Sequence, residues 1–175
     1  MQALVEAQRV KAMMGTLIGH FEDVLTEAGV REQLCALSIY PGIGVPFDYA
    51  ADSEGCTGGM GWIRMFSAFP SATYPAPENT LRGSCTAPPA FMVEIGLVRP
   101  AGVLDEDLGG VTIPSPEEEF DLSMALIDDM MLMREAVLRT KAKYSDVILG
   151  TWSPTGPDGG AVGGTWTITV SADAD

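Results

Sequence analysis

The stretch from Ser115 to Lys143 constrains this chain more than any other. Ser115 can cap a helix, Pro116 suits its first position, and Glu117, Glu118 and Glu119 complement the positive end of the helix dipole. Ser115 and Glu118 have the spacing of a capping box, and Arg139, Lys141 and Lys143 put cations near the last turns. With Ile127 at zero and about 100° per residue, Phe120, Leu138, Met131 and Met124 fall between about 20° and 60° on the helical wheel. On the same wheel Met130, Val137, Leu126 and Met133 fall between about −60° and −120°. Close to half the circumference is therefore apolar, whereas a helix lying on one sheet needs a stripe of only about 100°. The surplus needs a second partner, either a deep groove within the chain or another subunit. Met124, Met130, Met131 and Met133 suit an irregular core and an adaptable surface equally. Arg134, near −20° and inside the arc, needs a carboxylate that another subunit can supply.

The remaining segments supply what this helix packs on. Ala3 to Ala28 places Val10, Met13, Met14, Leu17, Ile18, Phe21, Val24 and Leu25 at helical spacing, with Gly29 as the stop and His20 at the edge of the stripe. Leu34–Tyr40, Trp62–Phe69 and Ala90–Val98 alternate as strands, separated by Gly- and Pro-rich loops at 41–61 and 70–89 and followed by a linker at 101–114. Two further runs, Asp146–Trp152 and Thr165–Val170, flank the glycine-rich stretch 153–164, which reads as a protruding hairpin arm. The order predicts one α+β domain over 1–175. An N-terminal helix and one long helix pack on a mixed, mostly antiparallel sheet, with long loops and a C-terminal β-hairpin arm.

Composition narrows the function. Twenty-four acids against ten Lys and Arg give a formal charge of −14, which argues against binding nucleic acid through its phosphates. The 46% hydrophobic content is enough for a core, and no apolar run approaches the roughly 20 residues that span a bilayer. The N-terminal residues carry charges throughout and show no signal pattern. One His and three cysteines at irregular spacing, Cys35, Cys56 and Cys85, describe neither a disulfide framework nor a four-ligand metal shell, though neighbouring strands can bring Cys56 and Cys85 together. Asp105-Glu106-Asp107 lacks the alternate spacing of a calcium loop, Asp128-Asp129 reads as the outer side of its helix, and no elbow motif frames a serine. No catalytic constellation, cofactor site or metal site is expected, so the chain reads as an assembly or binding protein, not an enzyme.

Several dispersed motifs carry a family resemblance. Trp62-Ile63-Arg64 follows Cys56, then come Phe69-Pro70, Cys85, and Val93-Glu94-Ile95-Gly96-Leu97-Val98-Arg99-Pro100. The ending runs Gly150-Thr151-Trp152-Ser153-Pro154, Gly156-Pro157, Gly159-Gly160 and Gly163-Gly164-Thr165-Trp166-Thr167. Over roughly residues 56–170 the chain resembles head-to-tail connector proteins of long-tailed phages that infect actinobacteria, and its element order is most like the tail terminator. The resemblance implies a virion protein, assembled in the host cytoplasm. It would form a homo-oligomeric ring, commonly a hexamer, that ends tail-tube polymerisation and joins the tail tube protein to the head connector. A ring needs two patches per subunit: Leu126, Met130, Met133, Arg134 and Val137 on the long helix, and Trp152 and Trp166 on the C-terminal strand pair. Asp105, Glu106 and Asp107 are the candidate lumen-facing acids. Six copies at −14 each carry −84 around one channel, so DNA passes close by without being held. A head-to-tail stopper is the alternative connector role, and a cytoplasmic small-ligand-binding domain the alternative class.

Overall fold

The computed structural model describes residues 2–42, 58–78, 87–101, 104–105, 110–111, 115–158 and 161–172. Helix α1 spans Gln2–Glu27 and is followed by a 3-10 turn at Arg31–Gln33. Gly29, at φ 70°, ends α1: its N–H donates to the Thr26 carbonyl and that of Val30 to the Leu25 carbonyl, the paired bonds of a Schellman stop. Strands β1 (Leu34–Tyr40), β2 (Gly59–Pro70) and β3 (Pro89–Pro100) come next. The small ladder β4 (Leu104–Asp105) and β5 (Gly110–Val111) precedes the long helix α2 (Pro116–Lys143), and β6 (Ile148–Asp158) and β7 (Ala161–Ser171) complete the order.

The main sheet runs β1-β2-β3-β7-β6. Only β1 and β2 are parallel; the other three pairings are antiparallel. This is the α+β architecture with a mixed, mostly antiparallel sheet. Both helices lie on one face. Phe91, Val93, Ile95 and Leu97 of β3 point to that face with Ile63, Ile168 and Val170, and meet Met13, Leu17, Phe21, Val24 and Leu25 of α1 and Met133, Ala136 and Val137 of α2. The helices run antiparallel, since Thr16, His20 and Glu27 of α1 bond Tyr144, Thr140 and Arg139 in turn. On the opposite face Met60, Trp62, Val98 and Ala161 form a second buried cluster.

The capping box at Ser115 forms as the sequence predicts. The Glu118 N–H donates to Ser115 Oγ and the Ser115 N–H to Glu118 Oε2, and that bond to the Ser115 backbone holds the Glu118 carboxyl below its usual range.

The C-terminal hairpin is longer than the sequence suggests and less of an arm. Strand pairing continues through Ser153–Asp158 and from Ala161 to Gly164, and β3 pairs with β7 as far as Pro100 against Ala161. The glycines are there for close approach. A Cβ on Gly163 would sit 2.0 Å from the Leu97 carbonyl oxygen, and one on Gly164 would sit 2.4 Å from the Trp152 ring. Glycine-rich sequence imitates a loop, and here it lets a central strand press against its neighbours.

Candidate functional site

The nominated interface residues of α2 do not share one surface. Met133 and Val137 are buried in the chain's own core, and Leu126 and Met130 are half-buried. Trp166 and Trp152, paired across β7 and β6, pack against the same core, and Trp166 Nε1 donates to the Met130 carbonyl at 3.0 Å. Trp152 Nε1 is buried and makes no hydrogen bond among the described residues. Of the seven, Arg134 alone is exposed. The arc from Leu126 to Val137 is thus the one the sheet covers, which corrects its nomination as the surplus face.

The other arc is the free one. Phe120 (62% exposed), Met124, Ile127 (50%), Met131 and Leu138 all stand at the surface of α2. With Arg134 they follow spacings of four and three residues, the repeat of a helix that receives a partner along its length. One edge of the stripe is acidic, with Glu117, Asp121, Asp128 and Glu135 all exposed. Of these, Glu135 is engaged by Arg139, which also holds Glu27. Arg134 and Lys141 lie on the opposite edge and make no ion pair among the described residues. The spacing signal was present in the sequence; what was absent was any sign of which apolar arc meets the sheet.

Asp129 explains that ambiguity. It reads as an outer residue beside Asp128, yet it is 1% exposed. Its two carboxylate oxygens accept from Arg99 Nε at 2.6 Å and Nη2 at 2.7 Å, a two-bond fork that pins α2 over the end of β3. The hydrogen bond to Asp129 raises the Arg99 guanidinium above its ordinary value. Arg99 also donates to Gln33 Oε1 at 3.1 Å, so the same side chain ties the turn before β1.

Two other ionic clusters close the molecule in the same way. On the far face of the sheet, Glu94 accepts from Trp62 Nε1 at 2.9 Å and from Arg64 at 2.7 and 3.0 Å. Trp62 lies flat against Gly96, where a Cβ would come within 2.2 Å of its ring. At the end of the helical layer Asp146 takes two bonds from Arg9, at 2.9 and 2.6 Å, and one from the Ser171 N–H. Burial pushes the Asp146 carboxyl up, but the Arg9 hydrogen bond and charge outweigh it and hold the group below its ordinary value. Tyr74, whose hydroxyl donates to the Asp146 and Thr169 carbonyls, is pushed up to about 12 by burial and then by the Asp146 charge. In all three clusters both carboxylate oxygens are engaged, so their role is to hold elements together.

His20 Nδ1 meets Thr140 Oγ1 at 3.1 Å between the two helices, the boundary position its periodicity predicts. Among the described residues no group of three or more His, Cys, Asp and Glu is placed to hold a metal ion. No described helix is long and apolar enough to cross a membrane. Cys35 is disulfide-bonded, whereas the odd count at irregular spacing suggested no disulfide framework and left only Cys56 and Cys85 as a pair that neighbouring strands can bring together. Cys56 and Cys85 lie outside the described residues, as do Glu106 and Asp107 of the candidate lumen acids; Asp105 is the last residue of β4.

No protein-family model matches this chain, and no curated protein matches it either.

Proposed function

We propose that this chain is a structural virion protein, a ring-forming head-to-tail connector of the tail-terminator type from a long-tailed phage of actinobacteria. It ends tube-protein polymerisation, joins the tail tube to the head connector and lets DNA pass through its lumen, after assembly in the host cytoplasm.

The observation that carries the reading is where the resembling motifs fall. Trp62-Ile63-Arg64 and Phe69-Pro70, together with the runs 93–100, 150–154 and 163–167, occupy β2, β3, β6 and β7, four strands adjacent in one sheet. There Trp62 and Arg64 both donate to Glu94, and Trp152 stands opposite Trp166 over Gly164. Motifs scattered over more than a hundred residues of sequence thus form one framework, as expected when they specify a shared fold. The charge of −14 suits a wall past which a polyanion slides. The exposed apolar stripe of α2 suits a protein that works in contact with other chains.

Native mass spectrometry and negative-stain imaging of the purified protein test the ring: an annulus with an open centre, commonly of six copies, is expected. Added to polymerising tail tube protein, it should shorten the tubes and appear at one end. A compact monomer with no effect on tube length overturns the proposal, and a melting temperature that responds to a small ligand would move it to the binding-domain class. A ring that leaves tube growth unchanged but binds the head connector makes it a stopper.

A further inference from the structure

Divided into heptads, α2 presents one exposed seam. Position a is Glu117, Met124, Met131 and Leu138, position d is Phe120, Ile127, Arg134 and Lys141, and every one of them is exposed. The residues that α2 buries, Asp129, Met133, Ala136, Val137 and Thr140, fall at c, f and g, so the chain's own core takes the opposite side. A strict a and d repeat is narrower than the stripe that rests on a sheet, and it is the surface one helix offers to another. It runs about 36 Å from Glu117 to Lys141. The outward side of α1 offers no counterpart, since Lys11, Gly15, Gly19, Glu22 and Asp23 occupy it.

The seam is self-complementary when reversed. Phe120 and Leu138 lie equally far to either side of position 129, as do Ile127 and Met131, Met124 and Arg134, and Glu117 and Lys141. Each of these pairs joins an a to a d, the layer in which two antiparallel helices interlock. Three layers are then apolar or covered by the Arg134 stem, and the outermost sets an acid on a cation. Charge along the whole helix has the same polarity. From Pro116 to Asp128 it carries Glu117, Glu118, Glu119, Asp121 and Asp128 and no base, whereas from Met130 to Lys143 it carries Arg134, Arg139, Lys141 and Lys143 against Glu135 alone. Antiparallel packing lays the acidic half of each helix over the basic half of the other and opposes the two helix dipoles. Parallel packing in register instead puts like on like inside the seam, at Glu117, Arg134 and Lys141. The antiparallel arrangement has its cost at one rim, where the e positions meet. Asp128 faces its own copy there, and Asp121 comes level with Glu135, which Arg139 already holds. Those contacts are open to water, where charge pairs are weak.

We propose that α2 packs antiparallel on α2 of a second copy of this chain, seam to seam, about a two-fold axis that crosses the helix at position 129. Such an axis sets α2 against itself turned end for end and forms each unlike pair twice. A two-fold contact of one patch with itself does not close a ring of six, which needs two different patches. This contact is therefore separate from the ring contact proposed above, and either can fail without the other.

Sedimentation equilibrium and native mass spectrometry of the whole protein test it. A dimer is expected, or two rings joined face to face where the ring also forms. Ile127→Glu, at an exposed position, should halve that mass while leaving the circular dichroism unchanged. Glu117→Lys or Lys141→Glu alone should weaken the contact about tenfold or more, since like charges then face each other twice. The two together should restore it to within about threefold of the parent, because the pair is re-formed with its signs exchanged. Orientation is read by oxidative cross-linking on a non-reducing gel. Phe120→Cys combined with Leu138→Cys should link two copies beyond the parent's level, and neither alone should, because the two copies of position 120 lie about 27 Å apart. A protein that is monomeric throughout, or one whose mass Ile127→Glu leaves unchanged, overturns the proposal. So does a charge-swapped double variant no better than the singles, a double cysteine variant that does not link, or linking by Phe120→Cys alone. A single ring that Ile127→Glu breaks into monomers assigns the seam to the ring contact and also overturns it.

Discussion

Asp128 and Asp129 are neighbours of identical chemistry, and the structure separates them by a large free energy. Asp129→Ala removes the acceptor for both Arg99 bonds and leaves a guanidinium whose side chain is only 19% exposed. Breaking a buried pair by removing one partner costs about 3–5 kcal/mol. Arg99 keeps its bond to Gln33 Oε1 and a little contact with water, which lowers the expectation to about 2–3 kcal/mol. Asp128→Ala, at an exposed site, should fall within about 0.5 kcal/mol of the parent. The assay is urea unfolding followed by fluorescence of Trp62, Trp152 and Trp166. With a slope of about 1–3 kcal/mol per molar, Asp129→Ala should lower the midpoint by roughly 1 M or more, and Asp128→Ala should barely move it. Most of the loss is assigned to the stranded cation, so Arg99→Met combined with Asp129→Ala should be the more stable of the two Asp129 variants, by about 1 kcal/mol. Equal midpoints for Asp128→Ala and Asp129→Ala would refute the pairing, and a double variant worse than the single would refute the account of its cost.

Met133→Ala should cost about 2–5 kcal/mol through cavity formation, while Met131→Ala, two residues away on the exposed arc, should cost about 0.5 kcal/mol or less; chemical denaturation of both reads the difference directly. Gly96→Ala should lower stability by about 1–3 kcal/mol or more, because its Cβ meets the Trp62 ring and the Glu94 bond prevents that ring from swinging aside; an unchanged melting temperature would contradict the packing. The depressed Asp146 carboxyl contributes stability that is fully present above the ordinary carboxylate value of about 4 and is lost as pH falls through its lowered folded value. Asp146→Asn should therefore lower the urea midpoint at pH 7 and flatten its fall below pH 4, and parallel curves for variant and parent would remove Asp146 from the acid response.

Both helices, β1 and the inner face of β3 were legible because local rules govern them. The Ser115 cap acts within one turn, Gly29 is the residue a left-handed stop requires, and the alternation of Phe91, Val93, Ile95 and Leu97 has the period of a strand. The short ladder of β4 and β5 and the pairing of Ser153–Asp158 with residues 161–165 were not legible, since glycine reads as a breaker until a neighbour's carbonyl is known to need the space. The two-arc pattern of α2 was also plain. Its assignment was not, because the buried arc contains Asp129, whose partner is thirty residues away in β3.

By itself, then, the sequence determined the acidity, the two helices with their ends, the strand periods and the α+β class, all of which follow from residues within a few positions of one another. Tertiary structure alone decided which half of α2 meets the sheet, which of two adjacent aspartates is buried, and that the glycine-rich ending is sheet. Each of these depends on a partner far away in the chain, Arg99 for Asp129, Leu97 for Gly163, Trp152 for Gly164. Burial of an acid is set by the cation that arrives to meet it, and periodicity carries no record of that cation.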